Sequence, residues 1–137
     1  MCPDPLRPAF PQETEHGPRW IEQLDRIRWT TPALRQSRQH VILTPTVTGE
    51  SGPCCISLLQ FIPVSQNGHV VRVDLSAYLR SSDLYTGLPY DAAGLSAVLE
   101  SVARAWDADA GWVIMTLGVP HIYERDRQAV ERLLSET

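Results

Sequence analysis

The segment CISLLQFIPVSQNGHVVRVDLSAYLR, residues 55–80, leaves a chain of this kind few folds to choose from. Two runs rich in β-branched and aliphatic residues flank Ser65-Gln66-Asn67-Gly68, and Asn-Gly is the pair that a type I′ hairpin turn prefers. In the second run Val71, Val73, Leu75, Ala77 and Leu79 fall on one side and Arg72, Asp74, Ser76, Tyr78 and Arg80 on the other, the period of two that a strand requires. A long antiparallel hairpin with one apolar face is therefore predicted. Its other face is polar over a length that suits a cavity lining or a partner interface as well as solvent.

What packs on the apolar face must come from the rest of the chain. The segment from Trp20 (WIEQLDRIRW) puts Ile21, Leu24 and Ile27 on one helical face, and HVILTP at 40–45 reads as a short buried strand. A helix is predicted from about Asp91, with Leu95, Val98, Leu99, Val102 and Trp106 at helical spacing. Residues 111–117 (GWVIMTL) read as a further strand, and ERDRQAVERLLSET as an amphipathic helix with Val130, Leu133 and Leu134 on one side. Five of the eleven prolines fall within residues 1–18, so residues 1–19 are read as an extended or disordered arm and residues 20–137 as one folded core. Strands and helices mix without regular alternation, which predicts an α+β fold.

At 137 residues the chain suits a single domain, one large enough to bury a core without disulfides or metals. A net charge of −4 lacks the basic footprint that nucleic-acid binding needs, though a small anionic ligand needs only a local cluster of arginines. Cys2, Cys54 and Cys55 are an odd set, a poor disulfide framework; reduced thiols and a cytoplasmic location are the expectation. The proline-broken start MCPDPLRPAFPQ is no signal peptide, and no run approaches the apolar length of a membrane span.

Three clusters carry possible chemistry. Cys54-Cys55 stand just before a strand, Arg80-Ser81-Ser82-Asp83 end the next one with anion-binding groups, and His121-Ile122-Tyr123 set two polar rings on one side of an extended segment. Each alone has a plain structural reading: a buried cysteine is a small hydrophobe, and an Arg-Ser-Ser-Asp stretch is a turn and a helix cap.

Together and in this order they resemble the thymidylate synthase family. LRSSDLYTGLPYD (79–91) is similar to its Arg-Ser-x-Asp and Gly-Leu/Val-Pro-Phe-Asn signature, PCCISLLQF to its Pro-Cys-His segment, and TLGVPHIYE to its Thr-x-Gly-Asp-x-His-x-Tyr segment. The stretch IEQLDRIRWTTPALRQSRQH fits the helix and loop leading to its Ser-Arg-Arg. The resemblance, over about residues 20–135, implies a mixed sheet packed against helices, dimerising through a sheet face.

By this resemblance Cys55, five residues before Gln60, matches the nucleophile that attacks C6 of a pyrimidine nucleoside monophosphate, making C5 nucleophilic. A positive neighbour such as Arg80 would favour the thiolate. Arg80 and Ser81 match phosphate ligands. Arg38 matches an arginine reaching the phosphate from the other subunit, which implies a homodimer, and Gln60 matches a residue of the substrate-binding strand. Asp83 matches the aspartate near the base and the folate, and His121 and Tyr123 match the pair on the sugar hydroxyl. The implied reaction is one-carbon transfer to C5, with 5,10-methylene-tetrahydrofolate as donor.

The departures shift the expected substrate. Where thymidylate synthases have Asn, this chain has Asp91, a pure acceptor when ionised that suits the exocyclic amine of cytosine. The cytidylate hydroxymethylases of the family are similar at this position, so CMP or dCMP is expected over dUMP. Ile56, Gln39 and Val119 replace a His, an Arg and an Asp of the family pattern. The segments that supply the family's catalytic Glu, a folate-facing Trp and the closing tail have no counterpart in this sequence. The alternative is therefore a non-catalytic or partner-dependent nucleotide-binding protein that has lost the folate half.

Overall fold

The computed structural model describes residues 18–43 and 55–136. Their element order is helix α1 (Pro18–Arg28), strands β1 (Val41–Leu43), β2 (Ile56–Gln66) and β3 (His69–Asp83), helix α2 (Gly87–Ala105), strand β4 (Asp109–His121) and helix α3 (Arg127–Ser135). The strands form one sheet in the order β1-β2-β3-β4. Strand β2 is antiparallel to both of its neighbours, β1 and β3, and β4 runs parallel to β3 after the α2 crossover. The α+β expectation holds, with one β–α–β unit embedded in it. The expected arm falls on residues that lie outside those described, apart from Pro18 and Arg19, with which α1 opens. Thr44, Pro45, Cys2 and Cys54 also lie outside them.

The hairpin turns where its sequence requires. Strands β2 and β3 meet at Gln66 and His69, and Asn67 and Gly68 both hold positive φ, +51° and +80°, as a type I′ turn demands. Beyond the turn Val73, Leu75, Ala77 and Leu79 are buried as expected, but Val71 is exposed. A register shift between Val64 and Ser65 changes the pairing at the hairpin tip and ends the apolar face one residue pair early.

The core lies between one sheet face and the helices. Leu59, Phe61, Leu75, Leu79, Leu95, Val98 and Val102 are fully buried there, with Leu24 and Ile27 from α1 against them. Ile21, expected beside them, is exposed; it sits a turn before Leu24 on α1. Trp106 closes the base of the core, its indole N–H donating to the Ile27 carbonyl at 2.8 Å. Its ring meets that of His40 edge-on at 4.8 Å. After Trp106, Asp107 takes a positive φ of 55° and the Ala108 amide bonds back to the Ala103 carbonyl, the left-handed stop that ends a helix.

Helix α2 begins at Gly87, four residues before the expected start near Asp91. Pro89 is compatible because it lies in the first turn, where its missing N–H would have no partner. Helix α3 forms as expected, yet none of its residues is buried, and Leu133 and Leu134 remain exposed.

The opposite sheet face is not simply polar. Asp74 is buried on it, held by the Arg72 guanidinium at 3.0 and 3.2 Å and by the Trp112 amide at 2.9 Å. Around it Trp112 (70% exposed), Leu43 (58%) and Ile114 (51%) stand bare, with Tyr78 and Ile62 between them. Near the far end β4 presses close to β3 at Gly118. A Cβ there would lie 2.7 Å from the Tyr78 hydroxyl and 2.8 Å from the Arg80 carbonyl, so only glycine lets the two strands converge.

Candidate functional site

The ends of the parallel strands β3 and β4 collect most of the chemically able side chains. Cys55 precedes β2 and is exposed. Its carbonyl accepts from the Arg80 amide at 2.8 Å, which fixes the cysteine beside the end of β3. Its sulfur lies 3.8 Å from the Ser81 hydroxyl. A thiol and a hydroxyl from residues 26 positions apart thus share one spot, with the exposed Arg80 next in the chain.

Asp83 ends β3, opposite His121 at the end of β4. Its carboxylate accepts from the Thr86 hydroxyl and, at 3.1 Å, from the Tyr85 amide, an arrangement that turns the chain into α2. The Thr86 bond above all, then the amides of Tyr85 and Thr86 and the nearby His121 ring, hold the Asp83 carboxyl below the usual carboxylate range. The same strand ends are tied again by the Leu84 amide donating to the His121 carbonyl at 2.9 Å.

His121 packs edge-on against Tyr123, ring centres 5.0 Å apart, and its Nδ1 lies 3.3 Å from the Val119 carbonyl. The Arg125 guanidinium stacks over the Tyr123 ring at 4.6 Å. Sequence reasoning did not single out Arg125, and its only signal there was a cation two residues after the aromatic.

Asp91 lies in the second turn of α2, so it is not the cap of that helix. Its carboxyl is partly buried and burial pushes it up, while the Ser82 hydroxyl opposes that shift. Ser82 is itself buried, and among the described residues its Oγ makes no hydrogen bond of ordinary geometry, so its effect on Asp91 is that of a hydroxyl near the carboxylate. The sequence places Ser82 in the Arg80–Asp83 cluster but gives it no role of its own, because strand alternation gives no reason to expect two consecutive serines at a strand end to differ in role.

Arg38 and Gln60 stand apart from this group. The Gln60 amide donates to the Arg38 carbonyl at 3.3 Å, and Gln60 pairs with Ser76 in mid-sheet, on the partly apolar open face. The structure therefore brings Cys55, Arg80, Ser81, Asp83, Asp91, His121 and Tyr123 to one end of the sheet and leaves Arg38 and Gln60 on its face. Among the described residues no group of His, Cys, Asp or Glu is arranged to hold a metal ion, and no helix is long and apolar enough to cross a membrane.

The sequence profile of thymidylate synthase matches residues 12–137. This chain belongs to the thymidylate synthase family. A thymidylate synthase of Mycoplasma mobile is 35% identical to it over 83 residues, which are 61% of this chain and 27% of that protein. The crystal structure of thymidylate synthase from T4 phage matches with a TM-score of 0.62 at 26% identity, over 82% of this chain and 37% of that one. The chain spans well under half the length of both relatives. Within the thymidylate synthase fold the four-stranded mixed sheet and the α2 crossover are the parts that carry the clustered residues.

Proposed function

We propose that this chain binds a pyrimidine nucleoside monophosphate at the β3–β4 end and, as a cytidylate hydroxymethylase-like enzyme, takes part in one-carbon transfer to C5. The observation that carries this reading is the Cys55 thiol against the Ser81 hydroxyl, with the Arg80 backbone amide bonded to the Cys55 carbonyl. A nucleophile is thereby adjacent to groups that suit a phosphate dianion. Arg80 and Ser81 hold the phosphate, while His121 and Tyr123 meet the sugar. Cys55 adds to C6 as the thiolate and makes C5 nucleophilic. C5 would bond to the one-carbon unit as that carbon's bond to the donor nitrogen breaks, and C5 would then lose its proton. Water would add to the new exocyclic carbon as the sulfur leaves C6, restoring the C5–C6 double bond with a hydroxymethyl group on C5. The expectation of a free thiolate fits a reducing compartment such as the cytoplasm.

The residues following Asp83 fit a reduced folate. Leu84, Tyr85 and Tyr90 are exposed and offer flat apolar surface for a pterin, with the Asp83 carboxylate as acceptor for its N–H groups. 5,10-Methylene-tetrahydrofolate bound there would supply a carbon at the oxidation level of formaldehyde. The alternative is a nucleotide-binding subunit that does not use a folate. Release of tritium from 5-labelled CMP, with and without the folate, separates the two: the enzyme releases it, and the binding protein does not.

Asp91 carries the preference for cytosine. An ionised carboxylate accepts from the exocyclic amine of CMP or dCMP, whereas uracil presents a carbonyl and leaves two acceptors facing each other. Wild type is expected to bind cytidylates more tightly than uridylates by calorimetry, and Asp91→Asn to narrow or reverse the ratio. Equal affinities in both proteins would remove cytosine from the proposal.

The open sheet face is the dimer interface of this proposal. Trp112, Leu43, Ile114, Tyr78 and Ile62 supply the apolar area, and Arg38, on the same side, serves the other subunit's phosphate. Sedimentation at micromolar concentration should show a dimer, which Trp112→Glu converts to monomer; a wild-type monomer would overturn it.

A further inference from the structure

Ser82 has no assigned part in the reading above, yet its situation is unusual. It is the next-to-last residue of β3, paired with Pro120 of β4. Its side chain is 3% exposed, and its hydroxyl is closed off from solvent with no hydrogen-bond partner among the described residues. Burying such a group unmade is costly, and the polar side chain it acts on is Asp91. Ser81, its chain neighbour, meets the Cys55 sulfur. The orphan hydroxyl therefore belongs to the residue that follows the partner of the candidate nucleophile and acts on the carboxylate on α2.

Asp91 discriminates between bases only in its ionised form. A protonated carboxylic acid is also a donor, and a donor at that point accommodates the uracil carbonyl. Partial burial works against ionisation, and no charged side chain contributes to the balance at Asp91; burial and the Ser82 hydroxyl are its two causes. A hydroxyl that donates to one carboxylate oxygen keeps the group ionised and leaves the other oxygen free to accept.

We infer that Ser82 is a second determinant of base specificity, acting through Asp91: in the nucleotide complex its hydroxyl donates to one Asp91 oxygen and holds the other toward the amine of cytosine. The inference rests on the cytosine reading of Asp91. Ser82 is a positioning residue, because it touches the carboxylate and not the base.

The test is calorimetric titration of CMP and UMP into wild type, Ser82→Ala, Ser82→Thr, Asp91→Asn and the Ser82→Ala/Asp91→Asn double variant. Ser82→Ala should narrow the CMP-to-UMP affinity ratio by about tenfold, roughly the loss of one hydrogen bond to a charged group. Ser82→Thr, which keeps the hydroxyl, should retain most of the ratio. In the Asp91→Asn background, removing Ser82 should leave the ratio unchanged, since no carboxylate remains to hold. Melting curves accompany each titration: Ser82→Ala loses no hydrogen bond in the free chain, so it should melt no lower than wild type. A wild type that discriminates while Ser82→Ala keeps the full ratio would overturn the role of Ser82 and leave Asp91 standing. A Ser82→Ala that weakens both nucleotides equally would do the same, as a structural effect. A wild type with no preference removes the cytosine reading first, and the inference falls with it.

Discussion

Cys55→Ala is expected to reduce tritium release from 5-labelled CMP to background while leaving CMP affinity nearly unchanged. Loss of the group assigned to add to C6 removes the covalent route, a change on the order of 10⁴-fold or more where a nucleophile is deleted. Affinity, by contrast, should move by less than about threefold, the scale of an exposed substitution far from any packing role. Cys55 is exposed, and the contact that anchors its position, Arg80 N–H to Cys55 C=O, belongs to the backbone and survives the change. Tritium release that persists in Cys55→Ala would show that exchange at C5 does not pass through this sulfur. A large loss of affinity would instead assign Cys55 to binding.

Arg80→Ala is expected to weaken CMP binding by about tenfold or more, and by a greater factor than Arg38→Ala. A hydrogen bond between charged partners contributes about 1.5–3 kcal/mol, and tenfold in affinity is about 1.4 kcal/mol. Arg80 stands at the strand end beside Ser81, whereas Arg38 is on the sheet face and its chain neighbour is Gln39 rather than a second arginine. The comparison also separates the two sites of action. If Arg38 serves a partner subunit, its smaller effect should depend on protein concentration through dimerisation, and that of Arg80 should not. A change below threefold for Arg80→Ala would take the phosphate away from the end of β3.

Much of this was legible in the sequence, and the reasons differ from place to place. The hairpin was legible because Asn67-Gly68 admits one turn type and the flanking residues alternate. The core face of α2 was legible because Leu95, Val98, Leu99 and Val102 keep one side through about two turns. Its beginning was not, since Gly87 and Pro89 discourage a helix in isolation and only the Asp83–Thr86 turn ahead of them sets it. Ile21, Val71 and Leu134, all exposed, show the limit of periodicity: it tells which side is apolar, not how deeply that side is buried. The clustered residues were found by their family resemblance, and the structure adds their adjacency. Ser82 was hidden because its interest is a missing partner, a property that exists only once neighbouring elements have been packed.

The parallel pairing of β3 with β4 has a consequence for the order in which this molecule becomes competent. Cys55, Arg80 and Ser81 come together as soon as the hairpin closes, through contacts between neighbouring stretches of chain. His121 reaches Asp83 only after α2 has formed and β4 has docked alongside β3, a pairing across 38 residues that local hairpin closure does not provide. Half of the cluster is thus built early and half late, and the late half includes the groups assigned to the sugar. A nucleotide that touches both halves binds only the fully wound chain, so its binding energy favours closure of the crossover over states in which the hairpin alone is folded.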